Sequence, residues 1–526
     1  MQLFSARAAL AVPGFVLTAA HAAAVQHICA QLDGMPLAIE LAAARVKVLS
    51  PPDIAARLSD RFRLLTGGSR TALPRHQTLR AMIDWSYQLL TEPEHCALRR
   101  LSAFAGGWTM EAAEAVCQGD EIAANDVLDL LARLVDKSLV LMSEHDGVTR
   151  YHLLETIRQY AAERLEEAGE STVSRNQHLN YFLGLGERVE LQLDPESSVD
   201  QVSLLKRLER DLDNIRRALD WATETGQIGT GLRLVTAIAD LFIVRAGQKE
   251  VLARLRAMIE HPAAPRNTRV EALTYLFMFH LHDRQGDFDL AKVLLERAEA
   301  VVLALDDLSL RARILVAQGG VAQSKGDYVL ARMYFNQWRE LLLSNGRLGL
   351  NEETYAELET FHDGMLSLAA GDYARAADKL TSVHNVLVQR GNQVSGTAIG
   401  RALGYALLNI GQFGDAADRF RESLIGNFAL GDSLGVAACL AAWAAYALSQ
   451  EDLYAAASLF GASEAIQESV YTPLMSWDIT QVKRQLVTLC QQLDPAELAA
   501  HWAAGRALTL EQAVDFVLSS WPTGHT

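Results

Sequence analysis

Small and apolar residues recur at fixed distances through the second half of the chain. A hexad with Gly first, an aromatic residue third and Ala sixth occurs four times, and a degraded fifth copy follows. The copies begin at Gly286, Gly326, Gly371, Gly411 and Glu451, with spacings of 40, 45, 40 and 40 residues. Glycine can end one helix in a left-handed conformation and aspartate can cap the next. Each hexad therefore predicts the turn of a helical hairpin.

Two further positions of the repeat indicate that the paired helices pack closely. An apolar residue stands four residues after each Ala, and the residue seven before each hexad is small in four of the five copies. The apolar set is Leu295, Phe335, Leu380, Phe420 and Phe460, and the other set is Phe279, Gly319, Gly364, Gly404 and Ala444. The pattern resembles tetratricopeptide repeats with a period near 40 residues. We therefore predict an α-solenoid of helical hairpins over residues 169–526.

The first 168 residues have a different pattern. Short apolar-periodic segments predict a small helical domain over residues 1–66. Residues 67–168 begin with helical segments and continue with two extended segments, 138–143 and 149–153, which an Asp146-Gly147 turn joins. The helical segments lie at 76–90, 92–104, 109–117 and 125–135. Helices followed by a β-hairpin predict a winged helix, so the fold class is mainly α with one small hairpin.

Composition and charge narrow the choice of partners and compartment. The net charge is −16, the wrong sign for a chain that binds nucleic acid or anionic membranes without specificity. The five cysteines lie far apart and form no Cys-x-x-Cys pair, which disfavours a disulfide framework or a zinc site. Two uncharged stretches, 8–32 and 433–450, consist mostly of weakly apolar alanine, so we expect packed helices there. A cytoplasmic protein with no membrane contact is the expectation.

Several short blocks, taken together, resemble one protein class. The run at 32–43 reads Leu-Asp-Gly-Met-Pro-Leu-Ala-Ile-Glu-Leu-Ala-Ala and is similar to the Gly-x-Pro motif of the NB-ARC (STAND) signal-transduction ATPases. Further blocks resemble bacterial members of that class and lie at 78–87, 104–107, 134–140, 154–161, 213–219 and 505–513. The resemblance covers nearly the whole chain.

This resemblance implies a division of labour among the domains. In the class, a P-loop domain precedes the Gly-x-Pro helices, the winged helix closes over the nucleotide, and the repeats act as sensor or scaffold. It implies that Gly34 and Pro36 are the remnant of a cofactor site, with Pro36 near an adenine base. The alternative is that Pro36 only starts a helix. After the wing, this chain has Leu153-Leu154-Glu155 where plant and animal members carry Met-His-Asp, which removes a nucleotide-sensing histidine.

Catalytic motifs are weak or missing in this sequence. A Walker A loop needs Gly-Lys-Ser/Thr, and none of the eight lysines follows a glycine. The segment Gly431-Asp432-Ser433-Leu434-Gly435 satisfies the Gly-x-Ser-x-Gly pattern of hydrolases, but it falls between two predicted repeat helices, where a turn is expected. We therefore expect no enzyme activity, no catalytic residue, no bound metal and no cofactor.

The leading hypothesis is a non-catalytic regulatory protein of the NB-ARC-like class, acting in transcriptional regulation through a protein partner on its repeats. A separate ATPase or effector domain is a further candidate partner. Residues 166–526 carry −14 of the net charge, which favours a neutral or basic partner. One rival is a DNA-binding regulator that uses its winged helix, although the candidate recognition helix 125–135 carries Asp126 and Asp129 against Arg133. Another is a truncated product of a full-length ATP-binding regulator.

Overall fold

The computed structural model describes the chain except residues 13, 33, 35, 66–73, 120, 146, 193–205, 207, 239–247, 286, 350–351, 471–473 and 522–526. The described residues fall into two compact units. Unit 1 comprises residues 1–184 and 210–221, and unit 2 comprises residues 185–209 and 222–526. The architecture is mainly α, as predicted, with a single two-stranded sheet among the described residues. The domain boundaries at 66 and 168 stay predictions.

Unit 1 begins with the small helical domain. Its helices are α1 (Gln2–Ala11), α2 (Ala19–Gln31), α3 (Pro36–Ala44) and α4 (Pro51–Leu65), with a short 3-10 turn at Arg45–Lys47. Pro36 at the first position of α3 fits the preference of proline for helix starts. Buried Phe4, Ile28 and Leu41 belong to its core.

The winged helix follows in the predicted order. Its helices are α5 (Pro74–Gln88), α6 (Glu92–Leu101), α7 (Met110–Cys117) and α8 (Val127–Asp136), and a 3-10 turn at Ala124–Asp126 precedes α8. Strands β1 (Leu141–His145) and β2 (Val148–His152) form the antiparallel wing, and Leu141 faces His152 at its open end. Helix α9 (Glu155–Glu167) completes it, and α10 (Ser171–Gln192) and α11 (Leu212–Glu224) come next. Phe104 and Trp108, stacked 5.1 Å apart between ring centroids, are fully buried in this region.

Unit 2 consists of helices joined by short turns. After α12 (Ile228–Ala237) and α13 (Gln248–Glu260) come the hairpins, each an inner helix and an outer helix. They are α14 (Arg269–Arg284) with α15 (Phe288–Leu305), α16 (Leu308–Ser324) with α17 (Tyr328–Ser344), α18 (Glu352–Ala370) with α19 (Tyr373–Gln389), α20 (Gln393–Asn409) with α21 (Phe413–Leu430), and α22 (Ser433–Ser449) with α23 (Leu453–Val470). Helices α24 (Ser476–Gln492), α25 (Pro495–Arg506) and α26 (Leu510–Ser520) follow.

The hexads lie at the turns within the hairpins, as predicted. Gly326, Gly371 and Gly411 have φ of +78°, +84° and +82°, the left-handed region that favours glycine. The following aspartates Asp327 and Asp372 accept a hydrogen bond from the backbone N–H three residues on, at 3.0 and 3.3 Å. The first hexad's Gly286 lies outside the described residues.

The same turn chemistry joins one hairpin to the next. Gly431 has φ of +68°, and Asp432 accepts a hydrogen bond from the Gly435 N–H at 2.9 Å. The Gly-x-Ser-x-Gly pattern is therefore a helix stop and cap, as expected. Helix α22, which begins at Ser433, is buried along most of its length in unit 2. Among the described residues, no helix combines the length and apolarity needed to span a bilayer.

The small and apolar repeat positions pack directly against each other within each central hairpin. A Cβ atom at Gly319 would lie 2.6 Å from Phe335 Cε1, and one at Gly364 would lie 3.0 Å from Leu380 Cδ2. A Cβ atom at Gly404 would overlap the ring of Phe420. The glycines thus let the outer-helix side chains rest on the inner-helix backbone.

Two adjacent glycines of α16 give a matched test of this contact. We expect Gly319→Ala to lower the free energy of unfolding by about 1–3 kcal/mol, because the added methyl group overlaps Phe335. Gly320→Ala is the control, since a Cβ atom there meets nothing within 4 Å, and it should be neutral or stabilising by up to about 1 kcal/mol. Denaturant unfolding monitored by hydrogen exchange of α16 measures both. Equal effects at the two positions would contradict the packing.

Candidate functional site

The predicted nucleotide remnant lies in the turn between α2 and α3. Gly34 is exposed with φ of +67°, and its N–H donates to the Cys29 carbonyl at 3.0 Å. Pro36 is also exposed and begins α3. The neighbouring Asp33 and Met35 lie outside the described residues. The turn and helix-start geometry accounts for Gly34 and Pro36, and their role at an adenine base stays a prediction.

The family-like blocks meet one another inside unit 1. Tyr160, in the block at 154–161, donates to Asp84 in the block at 78–87 at 2.6 Å. Burial, together with this bond to Asp84, raises the pKa of the Tyr160 phenol above its ordinary value. The blocks thus hold α5 against α9.

A buried ion pair joins the turn after α8 to the start of α6. Lys137 Nζ lies 2.5 Å from the Oε2 atom of Glu94, whose side chain is buried and also accepts from the Thr91 N–H. Burial disfavours the charge of Glu94, but Lys137 and the Thr91 N–H outweigh it and keep the pKa of Glu94 below its ordinary value. Lys137 therefore anchors the end of α8 within the winged helix.

Asn214 of α11 satisfies the backbone of the turn at 104–107. Its side-chain oxygen accepts from the Ala105 N–H, and its amide donates to the Gly107 carbonyl, both at 2.7 Å. Arg150 of β2 donates to the same carbonyl at 2.9 Å and pairs with Asp211 at 2.7 Å. Because Asn214 is fully buried, water cannot replace these bonds. The structure therefore brings the blocks at 104–107 and 213–219 together.

His178 of α10 is buried beside this contact. Its ring lies 5.1 Å from Phe104 and 4.8 Å from Phe182, between centroids. Burial lowers the pKa of His178 to about 3, although the nearby Asn214 side chain opposes this. The ring is therefore neutral at physiological pH.

The solvent-facing side of the candidate recognition helix is acidic. Asp126, Asp129 and Asp136 are exposed there together with a single basic residue, Arg133. Leu128 on the same helix is 54 % exposed. Carboxylates repel the phosphates that line a DNA groove, so this surface opposes groove entry. On the wing, Arg150 pairs inward with Asp211.

One cluster in unit 1 has the residue types of a metal site. Among the described residues, only Cys96, Glu121 and Glu170 form a group of three potential ligands. Glu170 already pairs with Arg99 at 2.6 Å and with Arg100 at 3.2 Å. Burial raises the pKa of the Cys96 thiol to about 12, which leaves it protonated and a poor ligand. We assign the cluster to structure.

The inner helices of unit 2 line two adjoining cavities. One, of about 700 Å³, lies between α14, α16, α18 and the start of α24. The other, of about 860 Å³, shares Phe277, Val316 and Phe361 with it. The lining of the second includes Arg233, Arg269 and Arg313 but only one carboxylate, Glu187. The local charge of this groove therefore differs from the overall acidity of the repeats.

Sequence reasoning missed Asn214, Arg150 and the cavities. Asn214 was quoted as part of a block, but its partners lie more than 100 residues earlier in the chain. No local pattern indicates such a contact. The cavities depend on how successive hairpins stack, and helical periodicity carries no information about that.

Comparisons with known proteins agree with the winged helix. Residues 90–166 match the protein family described as "Winged helix-turn-helix domain". A Mycobacterium tuberculosis strain H37Rv protein named "Putative HTH-type transcriptional regulator Rv0890c" is 44% identical over 260 residues, which are 49% of this chain and 29% of that protein. "Uncharacterized protein Rv0894" of the same strain is 45% identical over 172 residues, covering 32% of this chain and 44% of that protein. The chain thus spans less than half the length of these relatives.

One solved structure is also similar in part. It is the crystal structure of the Signal Transduction ATPase with Numerous Domains (STAND) protein with a tetratricopeptide repeat sensor, PH0952, from Pyrococcus horikoshii. The TM-score is 0.44 at 15% identity, over 92% of this chain and 74% of that one. A likeness of this extent carries no argument about this chain. The chain is thus a winged-helix protein with helical repeats, related to proteins named as transcriptional regulators.

Replacing Asn214 should loosen its contact with the turn at 104–107. Asn214→Ala leaves a buried N–H and a buried carbonyl with fewer partners, so we expect a loss of about 2–4 kcal/mol in local stability. Asp213→Ala is the control, because that side chain is exposed and pairs only within its own helix. Hydrogen exchange of peptides covering 104–118 measures both variants. Unchanged exchange in Asn214→Ala would contradict the role of this side chain.

The buried His178 predicts a pH dependence of unit 1. Its folded-state pKa of about 3 lies below the unfolded value of about 6.5, so the unfolded state binds more protons below pH 6.5. This contribution to stability is complete above pH 6.5 and is lost as the pH falls, by about 2 kcal/mol between pH 7 and pH 5.

The matched variant is His178→Phe, which keeps a ring beside Phe104 and Phe182 but cannot titrate. We expect its loss of stability between pH 7 and pH 5 to be smaller than that of the unmodified chain by about 2 kcal/mol. Hydrogen exchange of peptides within 171–184 gives the two differences. An identical loss in both proteins would show that His178 does not titrate on unfolding.

Proposed function

We propose that this chain is a non-catalytic regulatory part of an NB-ARC-like signal-transduction protein that acts in transcriptional regulation. In this proposal the winged helix is an intramolecular module and the repeats bind the signal or partner. The winged-helix match and the relatives named as regulators support a regulatory role. The family-like blocks support the NB-ARC-like assignment.

The single observation that carries this proposal is the acidic outer side of α8. A helix that enters the major groove needs donors for base edges and cations for phosphates. Here three exposed aspartates accompany one exposed arginine. The basic residues Lys137 and Arg150 of the same domain are committed to Glu94 and Asp211. The domain's own charges thus favour internal contacts over DNA.

The proposal also places nucleotide chemistry outside this stretch of sequence. The sequence contains no Gly-Lys pair from which a phosphate loop could be built. A nucleotide-binding module would then act together with this chain, either in one longer protein or as a separate subunit. The five free thiols fit a reducing cytoplasm, which is where we place this regulator.

A DNA titration tests the role of the winged helix. We expect the chain to show no sequence-specific binding tighter than about micromolar at physiological salt, after selection from a random-duplex library. Asp126→Lys with Asp129→Lys is the matched control, because reversing two charges on α8 should raise non-specific affinity only if α8 can approach DNA.

The opposite result would promote the DNA-binding alternative. Specific binding below about micromolar that is lost in Arg133→Ala would show that α8 reads DNA, contrary to the proposal. A salt titration separates specific binding from phosphate contacts, since non-specific affinity falls steeply with salt.

A further inference from the structure

The cavity of about 700 Å³ in unit 2, called here the inner cavity, has the features of a small-molecule site. Aromatic side chains dominate its wall, including Phe335, Phe361 and Trp477. Its volume lies within the usual range for ligand pockets, which are mostly apolar with a few polar groups. Helix α24 contributes one wall through Trp477 and Gln481.

Two buried acceptor atoms in the wall of the inner cavity have no hydrogen-bond donor. They are Gln481 Oε1 on α24 and Asp283 Oδ1 on α14. The Gln481 side chain is only 2 % exposed. Leaving a buried acceptor unpaired is unfavourable, so such atoms normally face a donor from a ligand or a water. The wall therefore asks for an occupant with hydrogen-bond donors.

The charges of the wall favour a neutral occupant. Its only ionisable groups of fixed charge are Asp283 and Lys325, which cancel. His362 also lines it, and burial lowers the pKa of this ring to about 4, so it is uncharged at pH 7. A charged ligand would be buried here without a counter-ion of its own, which is costly.

The wall formed by α24 is fixed in place. Asp478 of this helix, fully buried, accepts from Arg401 of α20 through two bonds of 3.0 and 3.1 Å. The Arg401 guanidinium also lies 4.9 Å from the centroid of the Trp477 ring. A wall anchored by a two-bond ion pair keeps the neighbouring Gln481 in position, as a specific site requires.

From these observations we infer that the inner cavity binds a neutral ring compound that carries hydroxyl or amide N–H donors. The ring lies among the aromatic side chains, and the donors meet Gln481 Oε1 and Asp283 Oδ1. This inference goes beyond the proposed function and is independent of the DNA result, because the site lies wholly in the repeats.

A pair of probes with one ring tests the donor requirement. We use 4-hydroxybenzamide, which has phenol and amide donors, and 4-methoxy-N,N-dimethylbenzamide, in which methyl groups block them. Saturation-transfer NMR with the full chain should show binding of the first, with a Kd of about 1 mM for a molecule of this size. The blocked probe should bind at least about fivefold more weakly, because both acceptors stay unpaired.

Three variants locate the binding. Gln481→Leu keeps the side-chain volume but removes the acceptor, and should weaken the donor-bearing probe about fivefold to tenfold. Gly320→Leu fills the cavity from an exposed helical position with open space around it, and should abolish binding. Gly414→Leu on α21 is the matched control, since it is also exposed, helical and open but does not line the cavity.

Three outcomes would overturn the inference. The first is equal binding of the two probes, which would mean that the acceptors do not select donors. The second is full binding to Gly320→Leu with circular dichroism unchanged, which would place the probe elsewhere. The third is no binding of the donor-bearing probe at several times the expected Kd, which would mean that water alone satisfies the two acceptors.

Discussion

The repeat region depends on one steric contact, the side chain of an outer helix resting on a glycine of its inner helix. At Gly319 and Gly404 the rings of Phe335 and Phe420 occupy the space where a Cβ atom would stand. Because the ring has no side chain beneath it, the two helix axes can approach more closely than ordinary apolar residues allow. That spacing recurs in successive hairpins, so it sets where the inner-helix surfaces lie. The cavities lined by α14, α16 and α18 follow from it.

A second constraint acts where the hairpins end. The Arg401–Asp478 pair is fully desolvated, and a buried pair of this kind contributes less to stability than its short bonds suggest. Burial disfavours the charge of Arg401, but Asp478 outweighs burial and raises the pKa of the guanidinium. We infer that the pair chiefly specifies where α24 crosses the inner helices. Any other placement of α24 would leave one charge buried without its partner.

The sequence predicted what is local and periodic. The hexads predicted the turns because Gly326 and Asp327 act through backbone atoms a few residues away. The wing was predicted to within a few residues, since alternation and a turn cue are also local. The partners of Asn214 and Asp478 lie 107 and 77 residues away at the Gly107 carbonyl and Arg401, and the chain alone gives no signal for such distances. The inner cavity depends on the same long-range packing.

Net charge illustrates the same limit on a larger scale. Charges act over roughly 8–10 Å at physiological salt, so a surface responds to its nearest groups and not to the sum over a region. Residues 166–526 carry −14, yet the groove lined by Arg233, Arg269 and Arg313 includes one carboxylate. Residues 1–165 are nearly neutral at −2, yet the outer side of α8 is acidic. Recognition by this chain must therefore be argued from surfaces a few side chains wide, where the structure places opposite charges or none at all.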